Sequence, residues 1–176
     1  MTDRIRGRLI CEDRRQEAFF RHLLEPIFRN RLDVRISPSG DGAASAWVVK
    51  QYPVHVREWV RRRPTERIAL VTVVDGDNIG TAGRVIELAQ ALTSANESAR
   101  TPTERIAICV PTWSVETWLL HLGGTPNISE SVSLKVQYER GGQGDLASLA
   151  DALRDAKTSP LPSMQAAITE LVRVRS

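Results

Sequence analysis

The stretch IALVTVVDGDN, residues 68 to 78, constrains this chain more than any other. A run of apolar and β-branched residues stops abruptly on two aspartates, Asp75 and Asp77. Apolar residues without alternation describe a strand covered on both faces, as parallel strands of α/β proteins are. Ligands of open α/β sheets collect beyond the carboxyl ends of such strands. If extended geometry persists past the strand, Asp75 and Asp77, at i and i+2, project to the same side. Two hard carboxylate donors so placed suit Mg²⁺ or Mn²⁺. Asp, Gly and Asn also dominate ordinary turns, so a plain turn after the strand is the alternative reading.

The pattern around this strand alternates. RLIC (8 to 11) reads as a first strand. Asp13 followed by Gln16 resembles a capping box, and the helix it opens sets Phe19, Phe20, Leu23, Leu24, Ile27 and Phe28 on one face. LDVRIS (32 to 37) alternates like a strand and ends in turn residues. A helix is expected over 43 to 63, broken or kinked near Pro53, and another over 81 to 95 with Val85, Leu88, Ala89 and Leu92 inward. RIAICV (105 to 110) is a fourth strand. Strands and helices in this order predict an α/β fold of βαβαβαβ type with a mainly parallel four-stranded sheet.

After Pro111 the pattern changes. VETWLLHL (115 to 122) is a short apolar helix stopped by Gly123 and Gly124. Residues 125 to 144 read as loop with one short strand around Ser133 to Tyr138. Two helices follow, marked by Leu146, Leu149, Ala150 and Leu153 and by Met164, Ile168, Leu171 and Val172. The expected organisation is an α/β domain over 1–124 and a loop and two-helix C-terminal extension over 125–176, packed on the same domain. At 176 residues, with 41% hydrophobic and 26% charged, the chain has the makings of a globular core, and disorder does not dominate. Cys11 and Cys109 each close a strand-like run and read as buried, reduced thiols. No leader-like opening and no membrane-spanning apolar run is seen, which predicts a cytoplasmic protein with no membrane partner.

A third carboxylate stands at an analogous place: Glu12 follows the first strand as Asp75 follows the third. Parallel strands end on one edge, so Glu12, Asp75 and Asp77 converge if those strands are neighbours. Glu12 also reads as a solvated acid beside a helix N-terminus. Glu116, in the first turn of its helix and among Trp113, Val115, Trp118 and Leu119, is equally a ligand or a residue set against the helix dipole. Net charge is only +3, but Arg4, Arg6, Arg8, Arg14 and Arg15, and then Arg61, Arg62 and Arg63, are clustered. Such clusters neutralise phosphates or simply face solvent, and at a helix end the macrodipole favours them. His22, His55 and His121 have no metal-ligand spacing, so a zinc site is not expected.

A glutamate after the first strand (LICED) and an Asp-x-Asp after the third (VVDGD) resemble the Toprim family, which includes bacterial primases, topoisomerases and OLD-type nucleases. The resemblance covers residues 8 to about 122. VPTWSVETWLLHL is similar to the segment after the fourth strand in small Toprim-like proteins of the RloB and OLD-related kind, which often accompany ATPases in anti-phage defence. Where the family has Glu-Gly, this chain has Glu12-Asp13, and Asp77 is followed by Asn78 and Ile79. The resemblance implies a nuclease that hydrolyses phosphodiesters of DNA or RNA, with Glu12, Asp75 and Asp77 as catalytic residues and, with Glu116, as ligands of Mg²⁺ or Mn²⁺. An all-acid pocket repels phosphate, so Arg14 and Arg15 are expected to bind the substrate. The alternative is a non-catalytic Toprim-like regulatory or effector subunit docked on an ATPase partner. A third reading takes DGDN as the opening of a PIN/NYN ribonuclease or a haloacid-dehalogenase-like phosphatase, but there the motif usually follows the first strand.

Overall fold

The computed structural model describes residues 5–40, 43–141 and 144–175. Four strands, β1 (Arg6–Cys11), β2 (Leu32–Ile36), β3 (Ile68–Val73) and β4 (Ile106–Cys109), form one sheet in the order β2-β1-β3-β4. Every pairing is parallel, with Leu9 opposite Val34 on one side and Val71 on the other. The helices are α1 (Arg14–Phe28), α2 (Ala44–Arg62), α3 (Gly80–Ser94), α4 (Val115–Leu122), α5 (Lys135–Gly141), α6 (Leu146–Asp155) and α7 (Pro162–Arg175). The expected α/β fold with a parallel four-stranded sheet and C-terminal helices is what the chain adopts.

Strand residues alternate between two cores, as a period of two requires. Leu9, Cys11, Val71, Val73, Ala107 and Cys109 enter a core with α1, α4, α6 and α7. Ile10, Leu70, Ile106 and Ile108 enter a second core with Val48, Tyr52, Val56 and Trp59 of α2 and Leu88 and Leu92 of α3. The sheet is thus covered on both faces, and all six residues of β3 are buried. Both cysteines are buried and free, as expected. Of the expected α1 stripe, all but the half-buried Ile27 are buried.

Several expectations are corrected. α2 runs unbroken through the buried Pro53; losing one helical hydrogen bond there is offset by packing of Val48, Tyr52, Val56 and Trp59 against the sheet. Residues 133–138 form no strand: helix α5 starts at Lys135, and its one buried residue, Tyr138, packs under the α1 start. Ala89 and Val172 face solvent, while Arg84 and Val174 are buried in their place. Beyond these corrections, the C-terminal helices contribute Leu149, Leu153, Met164 and Leu171 to the core of β1, β3 and β4. α7 also covers the free edge of β4, where Glu170 accepts the Ile108 N–H at 2.9 Å.

Candidate functional site at the carboxyl edge of the sheet

The strand order puts a topological switch between β1 and β3. After β1 the chain crosses by α1 on one face to β2; after β3 it leaves by α3 on the other. The loops that follow β1 and β3 therefore diverge and open a crevice at the carboxyl edge, the place where open α/β sheets bind ligands. Glu12 stands on one lip and Asp75 on the other.

Hydrogen bonds join the two lips. The Asp75 N–H donates to Glu12 Oε1 at 2.5 Å. Gln16, wholly buried in the first turn of α1, accepts the Glu12 N–H at 2.9 Å and donates from Nε2 to Asp75 Oδ1 at 2.8 Å. Asp13 caps α1 by accepting the N–H groups of Arg15 and Gln16, each at 2.9 Å. Half of the predicted capping box thus forms; the Gln16 side chain turns to the acids instead of the cap.

Asp77 does not sit where extended geometry would put it. β3 ends at Val73, and Asp77 opens a single 3₁₀ turn, Asp77–Ile79, with φ 46°. Asp tolerates this left-handed conformation better than most residues. The turn is anchored to the loop after β4: Gly76 N–H donates to Pro111 O at 2.8 Å and Asp77 N–H to Trp113 O at 3.1 Å. A Cβ on Gly76 would lie 2.2 Å from Thr112 O, so only glycine permits this approach. Asp77 is directed to Arg84, whose buried guanidinium reaches its Oδ2 at 3.3 Å, Asp75 O at 2.9 Å and Glu87.

The same anchoring brings α4 to the edge. Glu116, 2% exposed, pairs with Arg15, and its Oε2 has no hydrogen-bond partner. It is therefore neither solvated nor a simple cap. Arg15 lies over the Tyr138 ring, 5.1 Å from its centroid. Arg14 instead points outward and pairs with Glu17 at 2.8 Å.

Burial and crowding of like charges set the protonation. Burial lifts Glu12 to about 7, against the opposing Asp75 N–H. Burial, then Glu12 and Glu116, lift Asp75 to about 9. Burial also opposes ionisation of Glu116, but Ser114, its own backbone and Arg15 outweigh it and hold its carboxyl below the usual range. Burial, with Glu17, Asp13 and Glu12, pushes the Cys11 thiol up to about 12, which leaves it no role as a nucleophile at neutral pH.

Glu12 and Asp75 thus meet at this edge, Glu116 lies close enough to act electrostatically on Asp75, Asp77 turns to Arg84, and Arg15 spans to Glu116. Among the described residues no three His, Cys, Asp or Glu side chains are grouped closely enough to hold a metal ion. Gln16 and Arg84 are the residues that reading the sequence missed. Arg84 carried a signal: it stands four residues before Leu88, on the inward stripe of α3, where a charged residue needs a partner. No protein-family model, curated protein or solved structure matches this chain.

Proposed function

We propose that this chain is a Toprim-type nuclease, hydrolysing phosphodiesters of DNA or RNA with Mg²⁺ or Mn²⁺, in bacterial anti-phage defence or nucleic-acid metabolism. The observation that carries the reading is the pair of acids on opposite lips of the switch-point crevice, Glu12 after β1 and Asp75 after the neighbouring β3. The donor set fits a hard cation: carboxylates only, with one buried Glu116 oxygen lacking any partner. Glu12, Asp75 and Asp77, joined by Glu116, would hold the ion, which supplies a Lewis acid for the phosphoryl group and a more acidic bound water.

The chain's own residues supply the rest. Glu12, its carboxylate held in place by the Asp75 N–H, serves either as a third ligand or as the general base that takes a proton from an attacking water. Arg15, paired with Glu116 at this edge, is a cation that a phosphate can recruit, and Arg14 lies one residue away on the exposed side. Assembly of a compact ligand set requires Asp77 to leave Arg84 and Glu116 to leave Arg15.

That requirement favours a second reading, in which the acids stay engaged and the chain is a non-catalytic subunit docked on an ATPase partner. Incubating the chain with supercoiled plasmid and with tRNA, in Mn²⁺, in Mg²⁺ and in EDTA, separates the two. Metal-dependent cleavage lost in Asp75→Asn is the expected result. Absence of cleavage together with absence of Mn²⁺ binding by calorimetry rejects the nuclease and leaves the subunit reading.

A further inference from the structure

The opposite end of the sheet has the opposite charge. Three adjoining cavities of about 560, 220 and 190 Å³ run along the amino edge. The first two share Arg6 and Asp33, and the first and third share Thr65, Glu66 and Arg67, so they form one groove. Among the described residues, seven arginines line it against three acids, Asp33, Glu58 and Glu66. It passes the starts of all four strands, from Arg31 before β2 to Arg105 before β4, which is three strand spacings or about 14 Å.

The acids do not neutralise the rim. Asp33 and Glu58 both close on Arg8, and Glu66 closes on Arg62 at 2.6 Å. Arg63 is held by Glu104, just outside the groove, at 2.5 Å. Arg6 keeps one long contact, 3.5 Å to Glu66, and its side chain is 58% exposed. Arg31 makes no side-chain hydrogen bond or ion pair among the described residues and is exposed beside Asn30. Arg8, Arg62 and Arg63 are thus fixed by acids, while Arg6 and Arg31 are able to take an external anion.

We propose that this amino-edge groove binds the phosphodiester backbone of single-stranded nucleic acid. Guanidinium groups match phosphate oxygens in a two-pronged geometry. A linear, concave, cation-rich track suits a chain of phosphates, and grooves of this kind are how proteins follow single strands without reading sequence. The site is distinct from the acidic crevice: Arg6 opens β1 and Glu12 follows its end, about 20 Å apart along an extended strand.

The test is fluorescence anisotropy with a 5′-labelled single-stranded DNA and an RNA of the same sequence, in EDTA and low salt. EDTA removes any metal-dependent contribution of the carboxyl edge, so this result and the cleavage assay fail independently. Wild type is expected to bind both, with affinity falling steeply as salt rises. Arg6→Glu with Arg31→Glu should weaken binding about tenfold or more and lower the logarithmic salt slope by about 1.4, the share of two phosphate contacts. Both side chains are exposed, and an unchanged far-UV circular dichroism spectrum confirms that the variant folds. Three outcomes overturn the proposal: no binding by wild type, full binding by the double variant, or binding of a polyglutamate probe in place of the oligonucleotides.

Discussion

Asp75 concentrates the chemistry of the carboxyl edge in one side chain. Glu12 and Asp75 both titrate higher in the folded chain than the ordinary carboxylate range, so the native state holds more protons than the unfolded one. The contribution of these two groups to stability must then fall as pH rises from about 4 through about 7 and about 9. Asp75→Asn removes the carboxyl that must take up a proton on folding at neutral and higher pH and keeps an oxygen to accept from Gln16. It is expected to raise the melting temperature by about 5 °C at pH 8 and to change it little at pH 4, where the unfolded carboxyl is itself largely protonated and that cost nearly vanishes. If the nuclease reading holds, Mn²⁺ raises the wild-type melting temperature at pH 8 and fails to do so in that variant. Glu116→Gln tests a different term. It strands the Arg15 guanidinium against Tyr138, and a loss of about 1–3 kcal/mol in urea denaturation is expected, discounted from a fully buried pair because Arg15 is partly exposed.

Elements are held at this edge by backbone contacts between loops. The DGDN turn and the Pro111–Trp113 loop approach so closely that Gly76→Ala sets a methyl against Thr112 O. Its expected cost is at least about 2 kcal/mol, and since the turn must move, backbone NMR shifts should change at Asp77 and Glu116 as well as locally. On the far side of the sheet, α7 substitutes for a missing strand. Glu170 satisfies the Ile108 N–H and receives Arg100. Glu170→Ala leaves a strand-edge donor without a partner and should cost about 1–3 kcal/mol, with faster amide exchange at Ile108 as its signature.

Across the whole molecule, charge is sorted by sheet edge: acids gather where the strands end and arginines where they begin. A net charge of +3 conceals this. The C-terminal helices complete the main core, so a chain ending at Lys157 loses Leu161, Met164, Ala167, Leu171 and Val174 from it. Such a chain is expected to aggregate or bind a hydrophobic dye, as measured by light scattering and dye fluorescence, while a free-standing extension would leave residues 1–157 folded and dye-silent.

Hydrophobic period, a local property, was enough to read all four strands and most helices, because burial on two faces or one stripe is written into consecutive residues. It also marked Glu12 and Asp75, since each directly follows such a strand. Helix α5 escaped because a seven-residue helix with one buried side chain has no period to read, and Tyr138 is buried in a core built by residues distant in the sequence, with Arg15 over its ring. The left-handed Asp77 was hidden for a similar reason: its conformation depends on Pro111 and Trp113 accepting hydrogen bonds across the edge. Only the tertiary structure decided that β1 and β3 are neighbours, that Gln16 bridges their acids, and that Arg15 and Arg84 pair with Glu116 and Asp77. Each is a contact between residues on separate elements, and strand order, which no single segment encodes, determines who meets whom.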